Sequence, residues 1–120
     1  MIMLVDDDPD QIEYISHVLR SNGFDVIAFD DPNKALQAIR EKNEVDLVIS
    51  DLRMPRLNGL EFTESLRKAR SDVPVIMMTA DPSVETFFKA LGLGILDFII
   101  KPVKESDVIR TVNAFIRKAA

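Results

Sequence analysis

Five apolar runs, each stopping at a polar residue, set the rhythm of the chain. Met1 to Val5 stops at Asp6-Asp7-Asp8, and Asp25-Val26-Ile27-Ala28-Phe29 stops at Asp30-Asp31. Val45 to Ser50 ends on Asp51, Val73 to Met78 on Thr79, and Ile95 to Ile100 on Lys101. Short continuous runs of Val, Ile, Leu and Met, each followed by a helical pattern, read as strands of a parallel sheet covered on both faces. The intervening stripes have helical spacing. They are Ile12, Ile15 and Leu19; Ala35, Leu36 and Ile39; Phe62, Leu66 and Ala69, pointing inward from about Leu60 to Arg70; Val84, Phe87, Phe88 and Leu91; and Val108, Ile109, Val112 and Ile116.

Punctuation agrees with the stripes. Asp8-Pro9, Asp31-Pro32 and Asp81-Pro82 each pair a capping carboxylate with a proline at the first helical position, where no N–H is needed. Asn22-Gly23 ends the first helix, and Gly92 and Gly94 end the fourth. Met54-Pro55-Arg56-Leu57-Asn58-Gly59 is turn chemistry.

Strand and helix alternate five times, which predicts an α/β fold: a doubly wound, five-stranded parallel sheet with five helices distributed over both faces. Strands one, three and four are the most apolar, so the expected order is 2-1-3-4-5, with the shorter, less apolar second strand at an edge. The topological switch point then lies between strands one and three, where open sheets of this kind place their ligands. Asp6, Asp7 and Asp51 flank that point, and Thr79 and Lys101 lie on the same edge.

A chain of 120 residues fits one domain with a single core, so residues 1–120 are read as one unit. With no cysteine, disulfide scaffolds and thiolate metal sites are excluded. No apolar run approaches the ~20 residues needed to span a bilayer, and Asp6 comes too early for a signal peptide, so the expected location is the cytoplasm. A net charge of −5 lacks the basic footprint of nucleic-acid binding.

Three carboxylates at one mouth repel each other: two unit charges ~4 Å apart interact by ~4 kcal/mol at an effective dielectric near 20. Either one stays protonated or a cation sits among them. Hard oxygen donors in an open crevice point to Mg²⁺. Lys101 adds an ammonium and Thr79 a hydroxyl, a set suited to phosphoryl transfer, in which positioning and charge neutralisation dominate. Asp51, alone at the end of the central strand, is the candidate acceptor, and its product would be an acyl phosphate. Taken singly, Asp6, Asp7 and Asp8 could merely cap the first helix, and Asp8 is expected to do only that. Thr79, Phe98 and Lys101 are ordinary residues when considered alone; their company raises them. His17 lies off the apolar face of its helix and is expected at the surface.

Leu4-Val5-Asp6-Asp7, Asp51-Leu52-Arg53-Met54-Pro55 with Gly59, Thr79-Ala80 and Phe98-Ile99-Ile100-Lys101-Pro102 occur in this order. In these motifs the whole chain resembles the receiver domain of two-component response regulators. The resemblance implies phosphorylation of Asp51 by a histidine kinase or phosphotransfer protein, or by small phosphodonors. It implies Mg²⁺ held by Asp7, Asp51 and the main-chain carbonyl of Arg53, assisted by Asp6. Lys101 and the Ala80 amide would hold the phosphoryl group, Thr79 would swing towards it, Phe98 would turn inward, and Lys101-Pro102 would be cis. The domain would be a signalling acceptor rather than an enzyme. It would address an output domain, a target protein or a second copy through its fourth-helix/fifth-strand/fifth-helix face, and would bind no nucleic acid itself.

Three positions depart from the family's habit. Ile95 and Leu96 stand where a small and a polar residue are usual, and with Phe87 and Phe88 they imply either extra core packing or an exposed docking patch. Val103 replaces a common Phe, which speaks against an output domain of the winged-helix DNA-binding class. Arg53 and Asp81 could bridge the mouth and slow the loss of phosphate. Asp6-x-Asp8 is also similar to phosphatases of the haloacid dehalogenase type, but Pro9-Asp10 follows where those carry Gly-Thr. A flavodoxin-like FMN module shares the topology, but would offer amides and hydroxyls, not carboxylates, in its first loop.

Overall fold

The alternation read from the sequence is realised element by element in a computed structural model, which describes residues 1–41, 44–80 and 83–116. The strands are β1 (Ile2–Val5), β2 (Val26–Phe29), β3 (Leu47–Asp51), β4 (Val75–Thr79) and β5 (Ile95–Ile100). The helices are α1 (Pro9–Ser21), α2 (Pro32–Glu41), α3 (Gly59–Ala69), α4 (Val84–Gly92) and α5 (Glu105–Phe115). All strand pairs are parallel and the order is β2-β1-β3-β4-β5, as expected, with β2 at one edge.

Successive strand residues point to opposite faces, and this period of two sorts the apolar runs into two layers. Met3, Val5, Val48, Val75 and Met77 pack with Leu36 and Ile39 of α2 and with Phe62 and Leu66 of α3. Ile2, Leu4, Leu47, Ile49, Ile76 and Met78 pack with Ile15 and Leu19 of α1 and with Val108 and Val112 of α5. Both layers are built from buried apolar side chains, and each fully buried aliphatic or Phe side chain contributes roughly 1.5–3 kcal/mol.

The helix starts are fixed locally. The Asp8 carboxylate accepts from the Asp10 N–H at 3.0 Å with Pro9 following, and Asp31 accepts from the Asn33 N–H at 2.9 Å. Ser83 caps α4, accepting from the Thr86 N–H at 3.1 Å; the expected start at Asp81-Pro82 lies outside the described residues. β4 begins at Val75 rather than Val73. Pro74 has no N–H to add to a ladder, and its carbonyl accepts from the Val48 N–H at 2.9 Å.

Two placements differ from expectation. Ala69, expected inward, is exposed. The buried face of α3 is Gly59, Phe62, Thr63 and Leu66, while Ala69, in the last turn, opens onto a cleft lined by Ile39, Arg40, Lys68 and Arg70. Burial of Thr63 is possible because its hydroxyl donates to the Gly59 carbonyl at 2.8 Å. In β5, Val75 aligns with Ile95 but Ile76 with Asp97, so Leu96 is an unpaired extra residue, a β-bulge. Ile95 is therefore core, whereas Leu96 and Asp97 both face outward.

At the opposite end of the sheet from the acidic residues, Arg67 of α3 ties loops together. Its guanidinium donates to the carbonyls of Leu93 (2.8 Å), Val73 (2.6 Å) and Gly94 (3.1 Å). Gly94 has φ +76°, and a Cβ there would lie 3.3 Å from Arg67 Nη2, so glycine serves both the turn and the close approach.

Candidate functional site

Parallel strands bring their carboxyl ends to one edge, and there the scattered polar residues meet. Carboxylate oxygens of Asp6, Asp7 and Asp51 all lie within 4.8 Å of one another. Val5 aligns with Ser50 across β1 and β3, so the residues following each strand emerge side by side at the switch point. Thr79 is buried at the end of β4, aligned with Ile100. The Lys101 N–H donates to the Thr79 carbonyl at 2.8 Å, which continues the ladder by one residue and places the lysine above β4. From there the Lys101 ammonium reaches Asp51 Oδ1 at 3.0 Å. The Lys101-Pro102 bond is cis, as the resemblance implied.

Asp6 is fully buried. One of its oxygens accepts from the Asp8 N–H at 3.0 Å, and the other, Oδ2, has no hydrogen-bond partner. Burial pushes its carboxyl up to about 6; Asp51 and Asp7 add to this, while the Asp8 N–H and Lys101 pull it back. A buried oxygen without a hydrogen-bond partner, on one of three clustered carboxylates, is a feature a hard cation would satisfy, and among the described residues this cluster is the one with metal-ligand spacing.

Arg53 and Ala80 are exposed just beyond Asp51 and Thr79, while Asp81, the other half of the expected bridge, lies outside the described residues. Phe98 is half-buried in β5, with its ring centroid 6.1 Å from that of Phe87 and the planes at 38°. Of the apolar residues read as either core or patch, Phe87 (48%) and Leu96 (51%) are exposed, together with Leu91 and Ile100. His17 is on the surface, as expected.

The loop from β3 to α3 holds what the sequence reading missed. The Asn58 side chain accepts from the Glu61 N–H at 2.8 Å, and the Glu61 carboxylate accepts from the Asn58 N–H at 3.1 Å. Asn58-x-x-Glu61 is a legible capping box, hidden by its position inside an obvious turn. Gly59 presses on the backbone of the site itself. Its N–H donates to the Leu52 carbonyl at 2.7 Å, and a Cβ there would stand 2.5 Å from the Asp51 carbonyl oxygen. Arg56 adopts φ +72° in a tight turn closed by the Leu57 N–H on the Pro55 carbonyl at 2.8 Å.

Residues 2–113 match the response regulator receiver domain family. The chain is 38% identical over 117 residues to the DNA-binding response regulator MtrA of Mycolicibacterium smegmatis, which covers 98% of this chain and 50% of that protein. It thus spans about half the length of the MtrA proteins it matches. Among solved structures, Vibrio cholerae CheY4 aligns with TM-score 0.90 at 26% identity, covering 96% of this chain and 97% of that one. The receiver domain of the sensor histidine kinase PA1611 from Pseudomonas aeruginosa, with magnesium coordinated in its active-site cleft, aligns with TM-score 0.86 at 28% identity, covering 98% and 97%. These similarities give no support to a phosphatase of the haloacid dehalogenase type.

Proposed function

As this chain belongs to the response regulator receiver domain family, we propose that Asp51 accepts a phosphoryl group from a histidine kinase or phosphotransfer protein. The observation that carries this reading is the Lys101 ammonium 3.0 Å from Asp51 Oδ1, beside a cluster holding Asp6 and Asp7 within 4.8 Å. An Asp51 oxygen attacks phosphorus as the P–N bond to the donor imidazole breaks, and the imidazole leaves with the electron pair. Lys101 transfers its ammonium from the carboxylate to a phosphoryl oxygen, and the Thr79 hydroxyl and Ala80 N–H donate to the others. Asp7, Asp51 and the Arg53 carbonyl would hold Mg²⁺, with Asp6 completing the acidic pocket. When bound there, the ion neutralises charge between the carboxylates and the incoming phosphoryl group. The domain assists its own phosphorylation and hydrolysis, and acts as a signalling acceptor.

The added charge at this end of the sheet biases two packings of the far face. Phe98 turns inward when Thr79 moves towards the phosphate, which alters the support under Phe87. The partner face is the α4/β5/α5 surface, where Phe87, Leu91, Leu96 and Ile100 are exposed. It fits an output domain, a target protein or a second copy. MtrA is a DNA-binding response regulator; with a net charge of −5, this domain would be the regulating rather than the DNA-contacting part of any such protein.

Intact mass after incubation with Mg²⁺ and an acyl phosphate tests the chemistry. The wild-type chain should gain one phosphate and Asp51→Asn none; equal gain in both would overturn the assignment. Leu96→Asp should abolish phosphorylation-dependent association with a partner or second copy without slowing labelling of Asp51. Unchanged association, phosphorylated or not, would remove the partner face from the reading.

A further inference from the structure

The central strand β3 carries a hydroxyl where its pattern calls for an aliphatic side chain. Leu47, Val48 and Ile49 precede Ser50, and Ser50 is as fully buried as they are. By the two-residue period Ser50 lies on the same sheet face as Val48, which packs against α2 and α3. A buried hydroxyl on such a face stands against the usual sorting of residues, and it needs a hydrogen-bond partner to be tolerated.

That partner belongs to the peptide joining Asp51 to Leu52. The Leu52 N–H donates to the Met78 carbonyl of β4 at 2.9 Å. The N–H and C=O of a trans peptide point in opposite directions, so the Asp51 carbonyl turns to the β1 side. The aligned pairs of β1 and β3 stop at Val5 and Ser50, one residue short of Asp51. The Ser50 hydroxyl fills the gap, donating to the Asp51 carbonyl at 3.0 Å in a buried hydrogen bond. The next carbonyl along, that of Leu52, accepts from the Gly59 N–H at 2.7 Å. The main chain leaving β3 is thus held by three hydrogen bonds, and Ser50 supplies the one that comes from a side chain. The Asp51 carboxylate hangs just before this peptide and the Arg53 carbonyl lies just after it, so a rotation of the peptide changes the distance between them.

We propose that Ser50 is a positioning residue for cation binding: its hydroxyl replaces the missing strand neighbour of the Asp51 carbonyl and so fixes the spacing of the Asp51 carboxylate and the Arg53 carbonyl. This rests on the reading of those two groups as holders of Mg²⁺ and names a further determinant of the same site. Ser50 acts through the main chain and touches neither the cation nor a phosphoryl group. Without its hydroxyl the carbonyl loses a buried donor, and the peptide is free to turn in search of another. The loss falls on cation affinity. Labelling of Asp51 at saturating Mg²⁺ recovers, because the two groups are held at their spacing once the site is filled.

The experiment measures Mg²⁺ affinity by calorimetry and, separately, the rate of labelling by acetyl phosphate at saturating Mg²⁺, read by intact mass. It compares the wild-type chain with Ser50→Ala, Ser50→Cys, Ser50→Thr and Val48→Ala. Ser50→Ala should weaken Mg²⁺ binding about three- to ten-fold, the effect of one neutral hydrogen bond, with the saturated labelling rate within about two-fold of wild type. Ser50→Cys, close in size but a poor donor, should behave like Ser50→Ala, and Ser50→Thr, which keeps the hydroxyl, should bind within about two-fold of wild type. Val48→Ala, on the same face of the same strand, should lower the melting temperature yet leave Mg²⁺ affinity within about two-fold. Unchanged affinity in Ser50→Ala, wild-type affinity in Ser50→Cys, weakening in Ser50→Thr, or an equal weakening in Val48→Ala would each overturn the proposal. A wild-type chain that binds Mg²⁺ but gains no phosphate would instead bring down the phosphoacceptor reading, with the affinities still deciding the role of Ser50.

Discussion

Replacing Gly59 by alanine should cost about 2–4 kcal/mol of stability and lower the melting temperature by roughly 10 °C. A Cβ at this position would stand 2.5 Å from the Asp51 carbonyl oxygen, 2.5 Å from Met77 Sδ and 3.0 Å from the Leu52 Cα. The methionine sulfur can move, but the two backbone atoms belong to the central strand at its functional end. α3 would have to lift away, stretching the 2.7 Å hydrogen bond from the Gly59 N–H to the Leu52 carbonyl. The damage should therefore extend to cation binding, because Asp51 is one of the atoms' owners. Gly92→Ala is the matched control: no atom lies within 4 Å of its Cβ position, at the end of α4, so the change should be neutral or stabilise by up to about 1 kcal/mol. Thermal denaturation of both variants decides the matter. Equal melting temperatures would show that the loop after β3 yields freely.

The second large effect concerns Asp6→Asn. The carboxyl of Asp6 is raised from 3.8 to about 6, first by burial. The folded state thus holds this proton more tightly than the unfolded chain does. That contribution is fully present below about pH 3.8 and is lost as pH rises through about 6. At pH 7.5 without divalent cations, ionised Asp6 therefore burdens the fold by roughly 3 kcal/mol. Asparagine, which does not ionise, should raise stability under those conditions by about 1–3 kcal/mol and remove the corresponding slope between pH 4 and 7. Mg²⁺ should stabilise the wild-type chain more than the variant, because binding to the folded state alone shifts the equilibrium. Denaturant titrations across pH, in chelator and in Mg²⁺, provide the readout. Parallel pH curves for the two proteins would refute the account.

Much of this site could be read from the primary structure because its determinants are local or topological. Asp8-Pro9 and Asp31-Pro32 act within one helical turn, so their spacing alone announced α1 and α2. Asp6, Asp51, Thr79 and Lys101 could be placed at one mouth because each follows an apolar run, and parallel strands leave no choice of edge. What escaped depends on geometry that carries no side-chain signature. Arg67 binds carbonyls, which every residue owns, so nothing in the sequence marks Leu93, Val73 and Gly94 as its partners. Thr63 breaks the apolar pattern of α3, yet is buried because its hydroxyl returns to its own helix. Ile95 and Leu96 read alike, and only the bulge in β5 sends one into the core and the other outward. The Asn58–Glu61 box was visible in principle, but the proline and glycine around it drew attention to the turn.

That bulge has a consequence for how copies of the domain can meet. An outermost strand with a regular row of free amides is a template for fibrils, because any extended chain can add to it indefinitely. In β5 the extra residue at Leu96 breaks the register, and the Asp97 carboxylate takes the Phe98 N–H at 2.7 Å, withdrawing one amide from any such recruitment. Greasy side chains are left on display beside a main chain poorly suited to adding a further strand. Main-chain recruitment along this flank is thereby disfavoured, and any association there would have to rest on side chains.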